Sequence, residues 1–86
     1  MENLAVITTK FVLENKSPIV SVFKDKEGDW QFFGNENNIL EEDAKVVSLE
    51  EIIKIDSSVK NILAINNGSH AWRESINDEW KIETYE

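Results

Sequence analysis

Six residues near the middle of the chain do most to limit its fold. In Val47-Ser48-Leu49-Glu50-Glu51-Ile52, Ser48 can cap a helix N-terminus, and Glu51, three residues on, can reach back to complete a capping box. Val47 and Ile52 occupy the two positions of a hydrophobic staple, and Glu50 and Glu51 suit the positive end of a helix dipole. A helix therefore starts here, and the pattern changes around it. Upstream, the apolar residues are β-branched and aromatic and tend to alternate; downstream they recur at helical spacing.

The upstream part reads as three strands. Residues 4–13 are rich in β-branched and aromatic side chains and predict a strand bent near Thr9-Lys10. Asn15-Lys16-Ser17-Pro18 predicts a turn, because proline removes a donor and fixes φ. Residues 19–24 alternate Ile19, Ser21 and Phe23 against Val20, Val22 and Lys24, a second strand. Lys26-Glu27-Gly28-Asp29 predicts a hairpin connection into a third strand, residues 30–33, which is aromatic on both faces. Residues 34–45 are polar and acidic apart from Ile39-Leu40, and read as a long surface loop.

After the capping signal, Leu49, Ile52 and Ile53 share a helical face. Asp56-Ser57-Ser58 resets the pattern as a second cap, Val59, Ile62 and Leu63 share the next face, and Asn66-Asn67-Gly68 supplies a stop. Residues 70–74 and 79–84 predict a last hairpin. The reading is a single domain over residues 1–86 of the α+β class, ordered β-β-β-α-α-β-β. Two short helices cover one face of an antiparallel sheet of about five strands, and the other face is at least partly solvated.

Charge bounds what such a domain touches. Residues 25–51 hold nine acids against two lysines, −7 of the chain's net −8. A field this lopsided repels nucleic acid and anionic membrane and attracts a basic partner. With no cysteine, the chain can form no disulfide, thiolate nucleophile or cysteine-ligated metal site. Met1-Glu2-Asn3-Leu4 puts an acid where a signal peptide carries positive charge, and no apolar run approaches the roughly 20 residues of a membrane helix. The expected location is the cytoplasm.

No catalytic constellation stands out. His70 is the single histidine and follows Ser69; a Ser–His pair needs a serine at hydrogen-bond distance and a third group to orient the base, and adjacent residues rarely meet that geometry. Asn35-Glu36-Asn37-Asn38 and Glu41-Glu42-Asp43 offer hard oxygen ligands, but their spacing fails the EF-hand pattern, so neither a metal nor a cofactor is expected. The aromatic load (Trp30, Phe32, Phe33, Trp72, Trp80) is heavy for 86 residues, and an aromatic exposed beside the acidic loop would serve as an interface anchor. Arg73 is the single arginine, either a structural partner for a carboxylate or a fork-shaped donor in a recognition site.

Three stretches resemble a small bacterial family of unknown function, some of whose members are proposed as immunity proteins of toxin–immunity systems. They are Pro18-Ile19-Val20, then Gly28-Asp29-Trp30-Gln31-Phe32-Phe33-Gly34-Asn35-Glu36, and finally the run from Leu49–Ile55 through Asp56-Ser57 and residues 59–63 to Gly68-Ser69-His70-Ala71-Trp72-Arg73-Glu74. The chain departs from the family's pattern at Gln31, Asn35 and Ser57, where arginine, aspartate and proline are usual. The resemblance implies a compact α+β domain with an inhibitory or binding role and no established activity.

The expectation is thus a protein-binding module and not an enzyme, an immunity or antitoxin-like inhibitor facing a basic partner such as a toxin. Glu36, Glu41, Glu42 and Asp43 would make the contact, with Trp30, Trp72 and Arg73 as further candidates. The alternative is a small ligand-sensing or regulatory domain with a pocket between sheet and helices. Oligomeric state is left open.

Overall fold

The computed structural model describes residues 4–85; the expectation drawn from residues 1–3 lies outside them. Strand β1 (Ala5–Thr9) leads into a single helical turn, α1 (Lys10–Leu13). Strands β2 (Ser21–Lys24) and β3 (Trp30–Phe33) form a hairpin. A 3-10 turn, Glu41–Asp43, precedes strand β4 (Ala44–Ser48), which feeds directly into α2 (Leu49–Ile55) and a 3-10 helix, Ser57–Ile62. Strands β5 (Ser69–Trp72) and β6 (Lys81–Thr84) complete the chain.

The class is α+β, and two details of the expected sheet are corrected. The described residues form one sheet of six strands, ordered β4-β1-β3-β2-β5-β6, and it is mixed rather than antiparallel. β3 inserts between β1 and β2 and runs parallel to β1, Ile7 opposite Gln31, while every other pair is antiparallel. The extra strand is β4, in which Ala44 and Lys45 come from the expected surface loop and Val47 and Ser48 from the helix-capping signal. It is an edge strand with Val46 71% exposed, so it lacks the apolar alternation by which a half-buried strand is read. The first strand is also shorter than expected. It stops at Thr9, whose Oγ1 accepts from Val12 N at 3.3 Å and so caps the turn that takes residues 10–13 out of the sheet.

The helix starts where expected, with half of the capping box: Ser48 Oγ accepts from Glu51 N at 3.2 Å, Ile52 is fully buried and Val47 packs against the core, but among the described residues the Glu51 carboxylate does not bond back to Ser48 N. Asp56 caps the 3-10 helix through Ser58 N at 2.9 Å. Leu49, Ile52, Val59 and Ile62 bury against Val6, Val22, Phe32 and Ala71, which share one face of the sheet. Side chains alternate along strands, so the residues between these point to the opposite face, which no helix covers.

At the junction of helices and sheet sits Arg73, 3% exposed. Its Nε and Nη2 donate to the Ile19 carbonyl (3.1 and 2.8 Å), Nη1 donates to Ser58 Oγ (2.9 Å), and Nη2 meets Asp56 Oδ2 at 2.5 Å. The Trp80 ring lies 4.0 Å beneath the guanidinium. One side chain thus ties the start of β2, the exit of β5 and the break between the two helices.

Candidate functional site

The uncovered face of the sheet is aromatic. In cross-strand register, Phe23 of β2 lies opposite Gln31 and His70, His70 opposite Glu83, and Ser21 opposite Phe33 and Trp72. Phe23 and His70 stack with ring centres 4.1 Å apart and planes within 2°, and His70 stacks on Trp72 at 5.6 Å. Phe33 and Tyr85 meet the edges and faces of Phe23 at 6.1 and 5.1 Å. On the far side of the same face, Ile7 and Val46 pair across β1 and β4, both exposed. The rings shield one another, yet most of the row stays half-buried at the surface.

The acidic window is continuous in sequence but divided in space. Asp25, Glu27 and Asp29 sit in the β2–β3 hairpin, at the end of the sheet where α2 begins with Glu50 and Glu51. Glu36, Glu41, Glu42 and Asp43 lie in the connection from the end of β3 to the start of β4, at the opposite end. Trp72 and Phe33 are at that second end, since both pair with Ser21 at the start of β2. The fold therefore brings the 36–43 loop and Trp72 to one end of the sheet.

The other sequence candidates are placed differently. Trp30 is 5% exposed, at the opposite end and on the helix-covered face, stacked on Phe32 at 5.7 Å with Lys24 Nζ 5.0 Å over its ring. Arg73 is engaged in the junction already described. Asp43 is 5% exposed; its Oδ2 accepts from Leu40 N at 2.9 Å and its Oδ1 pairs with Lys10 at 3.3 Å. The backbone bond from Leu40 holds its carboxyl below the usual value, against the opposing pull of burial and with help from Lys10. Glu41 and Glu42 are exposed on either side of that closed turn, and Glu36 is half-buried with Oε1 out of contact with water and without a hydrogen-bond partner among the described residues.

Sequence reasoning missed the histidine's real partners. Ser69 is buried on the helix side of β5, as its neighbour position requires, so it turns away from His70. The serine at hydrogen-bond distance is Ser21, two residues along from Phe23 on the adjacent strand: Ser21 Oγ lies 2.8 Å from His70 Nε2. Glu83 Oε2 lies 3.3 Å from His70 Nδ1. Only the strand order, β2-β5-β6, assembles these three, and that order was not legible in the sequence.

The carboxylates of Asp25, Glu27 and Asp29 come within 4.8 Å of one another at the hairpin tip, where Asp25 Oδ1 accepts from Glu27 N and Asp29 N. That bonding fixes the turn, and Gly28 at φ 90° completes it. A shallow groove of about 430 Å³ runs between Asn15, Pro18, Ile55 and Ile76, and a second of about 440 Å³ passes Asn61, Arg73 and Trp80. Among the described residues no helix is long and apolar enough to cross a membrane. No protein-family model matches the chain, and searches of curated proteins and of solved structures found no match.

Proposed function

We propose that the chain is a protein-binding module that acts by occlusion, as an immunity or antitoxin-like inhibitor does, on a basic protein partner. The observation that carries this reading is the uncovered aromatic face with the acidic 36–43 loop at its end. An apolar surface rimmed by charge is the usual form of a protein interface, with aromatic side chains as anchors and rim charges setting encounter rate and register. Trp72 is the anchor in this reading, and Glu36, Glu41 and Glu42 are the rim. Asp43 shapes the loop from inside, and Trp30 and Arg73 support the surface by fixing the sheet and its junction with the helices. A net charge of −8 makes the complementary partner basic and makes nucleic acid and anionic membrane poor fits.

The test is capture from the native host lysate at low and moderate salt, with wild type, Trp72→Ala and the triple variant Glu36→Gln/Glu41→Gln/Glu42→Gln in parallel. The reading expects one basic protein retained by wild type, weakened by salt and lost with either variant. Equal retention by all three proteins would sink it.

A further inference from the structure

We infer that Ser21, His70 and Glu83 form a nucleophile, base and orienting carboxylate that give the open sheet face an acyl-transfer activity toward small aryl esters. This goes beyond the binding role and does not depend on it. The geometry is that of the triad logic: serine Oγ at 2.8 Å from one ring nitrogen, a carboxylate at 3.3 Å from the other. An ionised carboxylate can only accept, so Glu83 holds the ring proton on Nδ1 and leaves the Nε2 lone pair to accept the Ser21 hydroxyl. The ring has little freedom to leave this pose, because Phe23 stacks flat against it at 4.1 Å and Trp72 stacks on it at 5.6 Å. Three adjacent strands supply the three groups, so their spacing is set by the ladder and not by a loop.

The same rings define the substrate. Trp72 and Phe33 pair with Ser21 from either side, so a flat aromatic ester laid on them presents its carbonyl carbon to Oγ. In the first step the Ser21 Oγ–carbon bond forms, the hydroxyl proton passes to His70 Nε2, and the bond to the aryl oxygen breaks with its electron pair leaving on the aryl oxide. The imidazolium then returns its Nε2 proton to the aryl oxide or to solvent and is a base again. Water attacks the acyl-serine, His70 takes the water's proton and delivers it to Ser21 Oγ as the bond from carbon to Oγ breaks, and the acid leaves. Ser21 stands on a flat strand surface away from both grooves, so the chemistry rests on base activation, worth about 10²–10⁴-fold, without the further gain of a closed oxyanion pocket. An aryl oxide leaves far more readily than the serine alkoxide, so acylation outpaces deacylation and the acyl group accumulates.

The experiment mixes the full chain with 4-nitrophenyl acetate, follows nitrophenolate release, and locates the acetyl group by intact mass and peptide mapping. The expected result is a burst of about one nitrophenolate per chain with acetyl on Ser21. Ser21→Ala abolishes the burst, His70→Gln slows it at least about ten-fold, and Glu83→Gln slows it less, with recovery in Glu83→Asp as a positioning role requires. Melting temperatures of the variants check that each is folded. Acetyl found only on lysines, or a burst unchanged in Ser21→Ala, overturns the proposal.

Discussion

Replacing Asp56 by asparagine tests the junction on which the open face depends. Asparagine keeps the oxygen that accepts from Ser58 but puts an amide donor against Arg73, whose side chain is 1% exposed. The guanidinium keeps its bonds to Ile19 and Ser58 and loses its anion. Removing one partner of a buried pair costs about 3–5 kcal/mol, because the other charge is left without compensation. A domain of this size holds about 4–13 kcal/mol in all, at roughly 0.05–0.15 per residue. Urea unfolding therefore shows Asp56→Asn losing about a quarter or more of its stability. The pH dependence adds a second signature. Burial pushes the Asp56 carboxyl up, but the hydrogen bonds from Ser58 and Arg73 prevail and its value is lowered. A group depressed on folding gives stability that is fully present above its unfolded value, about 3.9, and lost as pH falls through the folded one. Asp56→Asn thus shows a shallower acid limb than wild type. The companion variant Arg73→Met/Asp56→Asn removes the stranded cation and recovers much of the loss. A loss below about 1 kcal/mol in Asp56→Asn would place the pair among solvent-screened ones and refute the reasoning.

Three further outcomes follow from contacts described by the structure. A Cβ at Gly34 would lie 1.9 Å from Ser17 Oγ, so Gly34→Ala lowers stability by about 1–3 kcal/mol, and Ser17→Gly/Gly34→Ala recovers part of it in thermal melts. Trp30→Ala, in the core, costs about 3–5 kcal/mol in urea unfolding, whereas Trp72→Ala on the open face costs clearly less. Asp43→Asn loosens the 40–43 turn and flattens the loss of stability on acidification, by the same sign as Asp56, in melts recorded from neutral pH downward.

Local chemistry was legible where one segment decides its own shape. Ser48 and Asp56 cap as their sequence contexts require, and Gly28 takes the positive φ that its turn needs; Gly68 does so too, but in the turn into β5 and not as a helix stop, because the 3-10 helix already ends at Ile62. What depends on neighbours was hidden. Thr9 could continue a strand or cap a turn, and competition for Val12 N decided it. β4 has one hydrogen-bonded neighbour and its first three side chains are exposed, so burial left no strand-like alternation in its residues. For the candidate site, the acidic loop and Trp72 were visible as residue types, but the pairing of Trp72 and Phe33 with Ser21 was not. The same holds for Ser21 and His70, 49 positions apart, which meet only because β2 and β5 are adjacent.

The insertion of β3 beside β1 bears on how the protein comes off the ribosome. β1 is made first of the six strands, yet it ends up inside the sheet, with neighbours 24 positions later at Gln31 and 41 positions later at Val47. Neither neighbour has emerged when β1 does, and the parallel one arrives only as the second half of a hairpin. Nascent β1, carrying Val6 and Ile7, must therefore wait unpaired for β3, and it keeps one edge open until β4 is made, when more than half of the chain has been synthesised. Pauses in translation before residue 48 would prolong that wait, and their harm would be read as aggregation of the newborn chain rather than as any defect in the finished one.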